Sequence, residues 1–198
     1  MIRFYTNREL SRALNINIAR WKRWSREFLP PDPLGGLQSG YARQYTRNDA
    51  FTVFVGGYLV KDLNFTIPEA RQILSDLKEP LFETGILESY DRVAKLQSEA
   101  VALIKHYLIF ITSDPDASLG TSKLHYSVRG ILAEETLDIL NEPVRQIRYL
   151  EIVPSGHDAD GKIKGADIRP VKVLPISALF DHFMATLGES GNLSSKNS

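Results

Sequence analysis

Three short motifs of one kind, Thr6 with Glu9, Thr46 with Asp49 and Thr66 with Glu69, are the strongest local constraint in the first eighty residues of the chain. In each, a threonine and an acidic residue three positions on can satisfy one another's free backbone N–H groups at a helix start. Leu10, Ala13 and Leu14 follow the first motif at the spacing of one buried helical stripe, so a helix is expected over roughly 7–14. Asn15 tolerates a left-handed backbone and suits a tight turn into a second helix that starts near Ile18. Pro30-Pro31-Asp32-Pro33 ends that helix, and residues 34–39 form a loop. Gly40-Tyr41-Ala42-Arg43-Gln44-Tyr45 alternates aromatic and polar positions as a short ribbon does. A third helix carries Phe51, Phe54, Val55, Tyr58 and Leu59 at core spacing, and a fourth carries Ala70, Ile73, Leu74 and Leu77.

The second helix is the chemically distinctive one. At about 100° per residue, Ile18, Trp21, Ser25 and Phe28 share one side, Arg20, Arg23 and Glu27 lie opposite, and Lys22 and Arg26 flank them. A basic face directly after a two-helix turn is what duplex DNA requires, although a charge run is also the common form of a solvated face. Arg20, Lys22, Arg23 and Arg26 are therefore candidate DNA contacts, with Arg43 and Arg47 on the ribbon and third helix as candidate phosphate contacts. Trp24 has two readings, an indole N–H donated to a phosphate or a ring bracing the hairpin. Tyr41 and Tyr45 likewise either pack the ribbon onto the helices or touch DNA.

Charge supports the division. The formal charge of the 198 residues is zero, yet residues 1–78 hold 12 Lys+Arg against 7 Asp+Glu and residues 79–198 hold 12 against 17. A basic module joined to an acidic remainder is the expected asymmetry. A hydrophobic content of 43% is enough for a buried core. The absence of cysteine excludes disulfides, thiolate metal sites and thiol redox switches. No apolar run has the length of a membrane span, and Met1-Ile2-Arg3 lacks a signal-peptide core, so a cytoplasmic location and no membrane partner are expected.

Tyr5-Thr6, Glu9-Leu10, the basic helix, Gly40-Tyr41, Tyr45, Asp49, Phe65-Thr66 and Glu69 stand in one order that resembles the DNA-binding domain of the MerR family, over about residues 4–78. The resemblance implies a winged helix-turn-helix in which Lys22 falls where the family has a DNA-contacting arginine. Arg23 and Trp24 replace its tyrosine pair, and Arg43 falls near its wing arginine, with one extra residue between Tyr41 and Tyr45.

After Pro80, Ile86, Tyr90, Val93, Gln97, Ala100, Ile104, Tyr107 and Ile111 repeat at 4, 3, 4, 3, 4, 3, 4, a heptad seam. A helix of that span is about 39 Å long. The resemblance implies an antiparallel coiled coil joining a homodimer; the other reading is a core helix packed on its own carboxy-terminal domain, which Leu103, Leu108, Ile109 and Phe110 keep open. Further on, strands are expected at 124–128, 146–153 and 171–174, with helices at 134–140 and 176–187 and a mobile tail at 188–198.

The expected fold is thus mainly α with a smaller α+β part: a DNA-binding domain at 1–78, a dimerisation helix at 79–112, a βαββα effector or interaction domain at 113–187, and the tail. Residues 157–167 superficially suit a calcium loop, but Gly156 occupies the first ligand position and the flanks read as strands, which favours a polar hairpin loop. His106, His125, His157 and His182 have no metal-ligand spacing, and Glu134-Glu135 suits helix-dipole stabilisation. No nucleophile, phosphate loop or acid/base pair stands out, so neither enzyme activity nor a cofactor is expected.

The function expected is a homodimeric, sequence-specific transcriptional regulator on a near-palindromic site. Its partners would be double-stranded DNA, a second copy of the chain, RNA polymerase at a promoter, and a small-molecule or protein effector at the carboxy-terminal domain. The alternatives are an architectural DNA-bending factor of recombination or a mobile element, and a ligand-binding or interaction protein that DNA binding only localises.

Overall fold

The computed structural model describes residues 3–32, 42–83, 106–115, 122–139, 142–152 and 170–193. The architecture is mixed α+β, and the chain divides into two compact units, Met1–Glu79 with Leu179–Ser198 and Pro80–Ala178. None of the helices among the described residues is long and apolar enough to cross a membrane.

The first unit is built on β1 (Tyr5–Thr6), α1 (Asn7–Ala13), α2 (Ile18–Phe28), β2 (Gln44–Tyr45), α3 (Arg47–Lys61), α4 (Ile67–Glu83) as far as Glu79, and the last helix, α5 (Ile176–Leu193), from Leu179 onward. All three threonine–acid motifs form reciprocal caps. The Thr6, Thr46 and Thr66 backbone N–H groups donate to Glu9, Asp49 and Glu69 at 2.7, 3.0 and 2.8 Å, and the return bonds to the threonine hydroxyls measure 3.3, 3.1 and 3.4 Å. Helix α2 starts differently, with Asn17 Oδ1 accepting from the N–H groups of Ala19 and Arg20 at 2.9 and 3.3 Å. Each such cap stabilises a helix start by about 1 kcal/mol. Asn15 and Asn64, in the two short interhelical turns, take φ of 51° and 53°, a left-handed conformation that asparagine enters more readily than most residues.

The ribbon expected within residues 40–45 is not a local hairpin among the described residues. Gln44–Tyr45 instead pairs antiparallel with Tyr5–Thr6 at the start of the chain, Tyr5 opposite Tyr45. This pairing carries the Tyr45 side chain inward to 1% exposure, a burial that a free-standing two-strand loop could not provide. The residues at 33–41 lie outside the described part.

The core gathers on α3, where Ala50, Phe51, Val53, Val55, Gly56, Gly57 and Leu59 are all buried. Ala70, Ile73 and Leu77 line α4 as one inward stripe. Expectation and structure part at the carboxy terminus. The helix expected at 176–187 within the second domain runs on to Leu193, and from Leu179 it belongs to the first unit, so residues 188–193 are helical instead of tail. The reason is its stripe Leu179, Phe183 and Leu187, only 9, 0 and 4% exposed, which needs an apolar partner. Helix α3 supplies one: Phe51 meets Phe180 edge-on at 5.1 Å and Phe183 at 5.3 Å, and Phe54 meets Phe183 at 5.6 Å.

The second unit is an antiparallel sheet of β3 (His106–Pro115), β4 (Ser122–Ile139), β5 (Glu142–Ile152) and β6 (Val171–Leu174), in the order β5-β4-β3-β6. The strands expected near 124, 146 and 171 are present within β4, β5 and β6. Two helical expectations are overturned here. Tyr107 and Ile111, the last members of the heptad seam, lie on β3, where Tyr107, Ile109 and Ile111 alternate inward at 8, 0 and 1% exposure. An apolar run satisfies a period of 2 as well as one of 3.5, and pairing with β4 on one side and β6 on the other decides for strand. The helix expected at 134–140 is likewise strand as far as Ile139, because Ala133 to Ile139 pair with Arg148 to Glu142 across a two-residue connection. A ladder of backbone hydrogen bonds outweighs the weak helical preference of two glutamates. The earlier seam positions, Ile86 to Ile104, and the calcium-like loop at 157–167 lie outside the described residues.

Candidate nucleic-acid interface

Which way α2 faces is set by two tryptophans. Trp21 and Trp24 are 0 and 8% exposed and Ser25 is 3%, with Phe28 half-buried, so the inner stripe is Trp21, Trp24, Ser25 and Phe28. This differs from the expected stripe at one position: Ile18, placed inside by sequence spacing, is 39% exposed. Exchanging Ile18 for Trp24 turns the outward axis of the helix onto Ala19, Lys22, Arg23 and Arg26. All four are exposed, as is Arg20 on the flank.

Trp24 is accordingly withdrawn from the candidate contacts. Its six-membered ring lies against the backbone of α3 at Gly57, and Phe28 lies in the same way against Gly56. An ideal Cβ at Gly57 would meet Cζ3, Cε3 and Cη2 of Trp24, the furthest only 2.8 Å away. Glycine in a helix interior costs about 1 kcal/mol in propensity; here it lets two aromatic rings seat directly on α3 and hold α2 at close range.

Three further anchors keep α2 in place. Trp21 meets Tyr45 edge-on at 5.8 Å. The Tyr45 hydroxyl donates to Asn7 Oδ1 at 2.7 Å and sits 3.0 Å from Ser25 Oγ, whose own O–H donates to the carbonyl of Lys22 at 3.1 Å. One phenol thus ties β2 to the first residue of α1 and to the middle of α2. At the end of α2, Arg71 of α4 donates Nε–H to the Glu27 carbonyl at 2.8 Å and forms an ion pair with the Glu27 carboxylate. That pair neutralises the acidic residue bordering the cationic strip.

Arg43 is half-buried, donating Nη2–H to the Pro30 carbonyl at 2.9 Å with its guanidinium 5.7 Å from the centre of the Tyr45 ring. It is anchored where the chain leaves α2, with other N–H groups left to donate. Arg47 is half-buried at the first residue of α3. Tyr41 lies outside the described residues, and Tyr45 is a packing residue.

Sequence reasoning missed three exposed arginines in this unit. Arg3 lies over the Tyr5 ring at 5.0 Å. Arg8 and Arg12 sit one turn apart on α1, on the side away from buried Leu10. Helical spacing could have identified the α1 pair. The position of Arg3 follows only from the pairing of β1 with β2.

Among the described residues no group of three or more His, Cys, Asp or Glu side chains is placed to hold a metal ion. No protein-family model matches the chain, and comparison with curated proteins likewise finds no match.

Proposed function

We propose that the chain is a sequence-specific DNA-binding transcriptional regulator whose first unit acts as a winged helix-turn-helix of the MerR type. The observation that carries this reading is α2: its two tryptophans are buried on one side while Lys22, Arg23 and Arg26, with Arg20 beside them, are exposed on the other. A recognition helix needs both properties, a rigid back and a cationic front, because base edges are read by side chains held in register and affinity comes largely from displaced counterions. Arg43 and Arg47 fit phosphate contacts beside it. In this reading the regulator is a homodimer on a near-palindromic site, joined through the remaining seam positions Ile86, Tyr90, Val93, Gln97, Ala100 and Ile104.

The experiment is enrichment of bound duplexes from a random library by the full-length protein, followed by titration of the recovered site. Arg23→Ala should weaken binding to it by about 1–3 kcal/mol and relax preference at one position. Arg43→Ala should weaken all sequences alike and reduce the salt slope by about 0.9. If no duplex is preferred over scrambled competitor at low ionic strength, the proposal is wrong.

A further inference from the structure

We infer that Ile18 reads the 5-methyl group of a thymine in the major groove, an assignment that rests on the DNA-binding reading of α2 and adds the base chemistry it selects. The starting point is the departure of Ile18 from its expected place. It is one of few large apolar side chains left exposed among the described residues, at 39%, while Leu10, Trp21, Tyr45 and Phe51 in the same unit are fully covered. Nothing in its amphipathic pattern requires this; the inward position was taken by Trp24, which seats on Gly57.

The exposed surface of α2 is sorted along its length. The first turn presents Ile18 and Ala19, both exposed and uncharged, with Arg20 on its flank, and the next two turns present Lys22, Arg23 and Arg26. Ile18 stands one turn before Lys22 and two before Arg26 on the same strip of the helix. Duplex DNA is sorted in the matching sense: anionic phosphates line the lips of the major groove, while the floor carries base edges, among which the thymine methyl is the apolar one. A helix that enters by its amino-terminal end brings apolar side chains to the floor and cations to the lips.

Two local features suit Ile18 to this task. Its β-branched side chain is stiff about χ1, so little freedom is lost on contact. Asn17 already satisfies the N–H groups of Ala19 and Arg20, so the first turn can approach the floor without stranding those donors.

The test replaces each thymine of the recovered site in turn by deoxyuridine, which removes only the methyl group, and measures affinity for wild-type protein and Ile18→Ala. The expected result is one position at which deoxyuridine weakens wild-type binding about fourfold, the weight of a buried methyl at ~0.8 kcal/mol, and has no effect on Ile18→Ala. The salt slope should be the same for both proteins, since no phosphate contact changes. Because Ile18 lies outside the inner stripe and alanine favours helix, the variant should keep the wild-type circular dichroism. A specific site at which no deoxyuridine weakens binding overturns the inference while leaving the DNA-binding reading intact. An equal deoxyuridine penalty in both proteins does the same. Failure to recover any preferred duplex overturns both.

Discussion

Replacing Gly57 by alanine should destabilise the first unit, although the same change normally strengthens a helix. The added methyl would meet three ring atoms of Trp24, the furthest at 2.8 Å, where carbon–carbon contacts are most favourable at about 3.5–4.0 Å. The ring would have to retreat by about 1 Å, yet it is 8% exposed with the body of the unit behind it. Overpacking of this kind costs about 1–3 kcal/mol, and three atoms overlapping at once point to the upper end. Against that stands a gain of about 1 kcal/mol in helix propensity. The net loss is about 2 kcal/mol. Urea unfolding followed by tryptophan fluorescence is the direct assay, since both tryptophans of the chain, Trp21 and Trp24, lie in α2. Gly188→Ala on α5 is the control: a Cβ there meets nothing within 4 Å, so the variant should be unchanged or more stable by up to about 1 kcal/mol. A Gly57→Ala protein that is as stable as Gly188→Ala would refute the claim that α2 is seated on bare helix backbone.

Phe183→Ala should cost about 3–5 kcal/mol by the same fluorescence assay, because the ring is fully buried against Phe51 and Phe54; an unchanged midpoint would remove α5 from the core of the first unit. Tyr45→Phe deletes the hydroxyl shared by Asn7 and Ser25 and should lower stability by about 1–2 kcal/mol in urea, with weaker duplex binding as α2 loosens. Thr66→Ala removes the cap of α4 and should cost about 1 kcal/mol, measurable as a lower unfolding midpoint. In the sheet unit, burial pushes the Tyr107 phenol above its ordinary value near 10. The folded state then holds that proton more tightly than the unfolded chain, so this contribution is whole below about pH 10 and is lost as pH rises through the folded-state pKa. Alkaline titration by far-ultraviolet circular dichroism, with each protein referenced to its own stability at pH 7, should show a smaller loss of stability above about pH 10 in Tyr107→Phe.

The helix starts of the first unit were legible without coordinates because a cap is a local device: Thr6, Thr46 and Thr66 reach partners only three residues away. The left-handed turn at Asn15 was legible for the same reason. So were the cations of α2, since helical spacing places Arg23 and Lys22 away from Trp21 whatever else surrounds the helix. Tertiary structure decided the matters that depend on a partner distant in sequence. Trp24 displaced Ile18 from the inner stripe because Gly57 of α3, far along the chain, accepts its ring. Tyr107 to Ile111 became strand because β4 and β6 offer ladders that a heptad count cannot see. The last helix closed over Phe51 and Phe54, more than 120 positions away, because its apolar stripe is cheapest to cover where aromatic surface waits. Local hydrogen bonds are written into adjacent residues; the choice among apolar surfaces belongs to the folded chain as a whole.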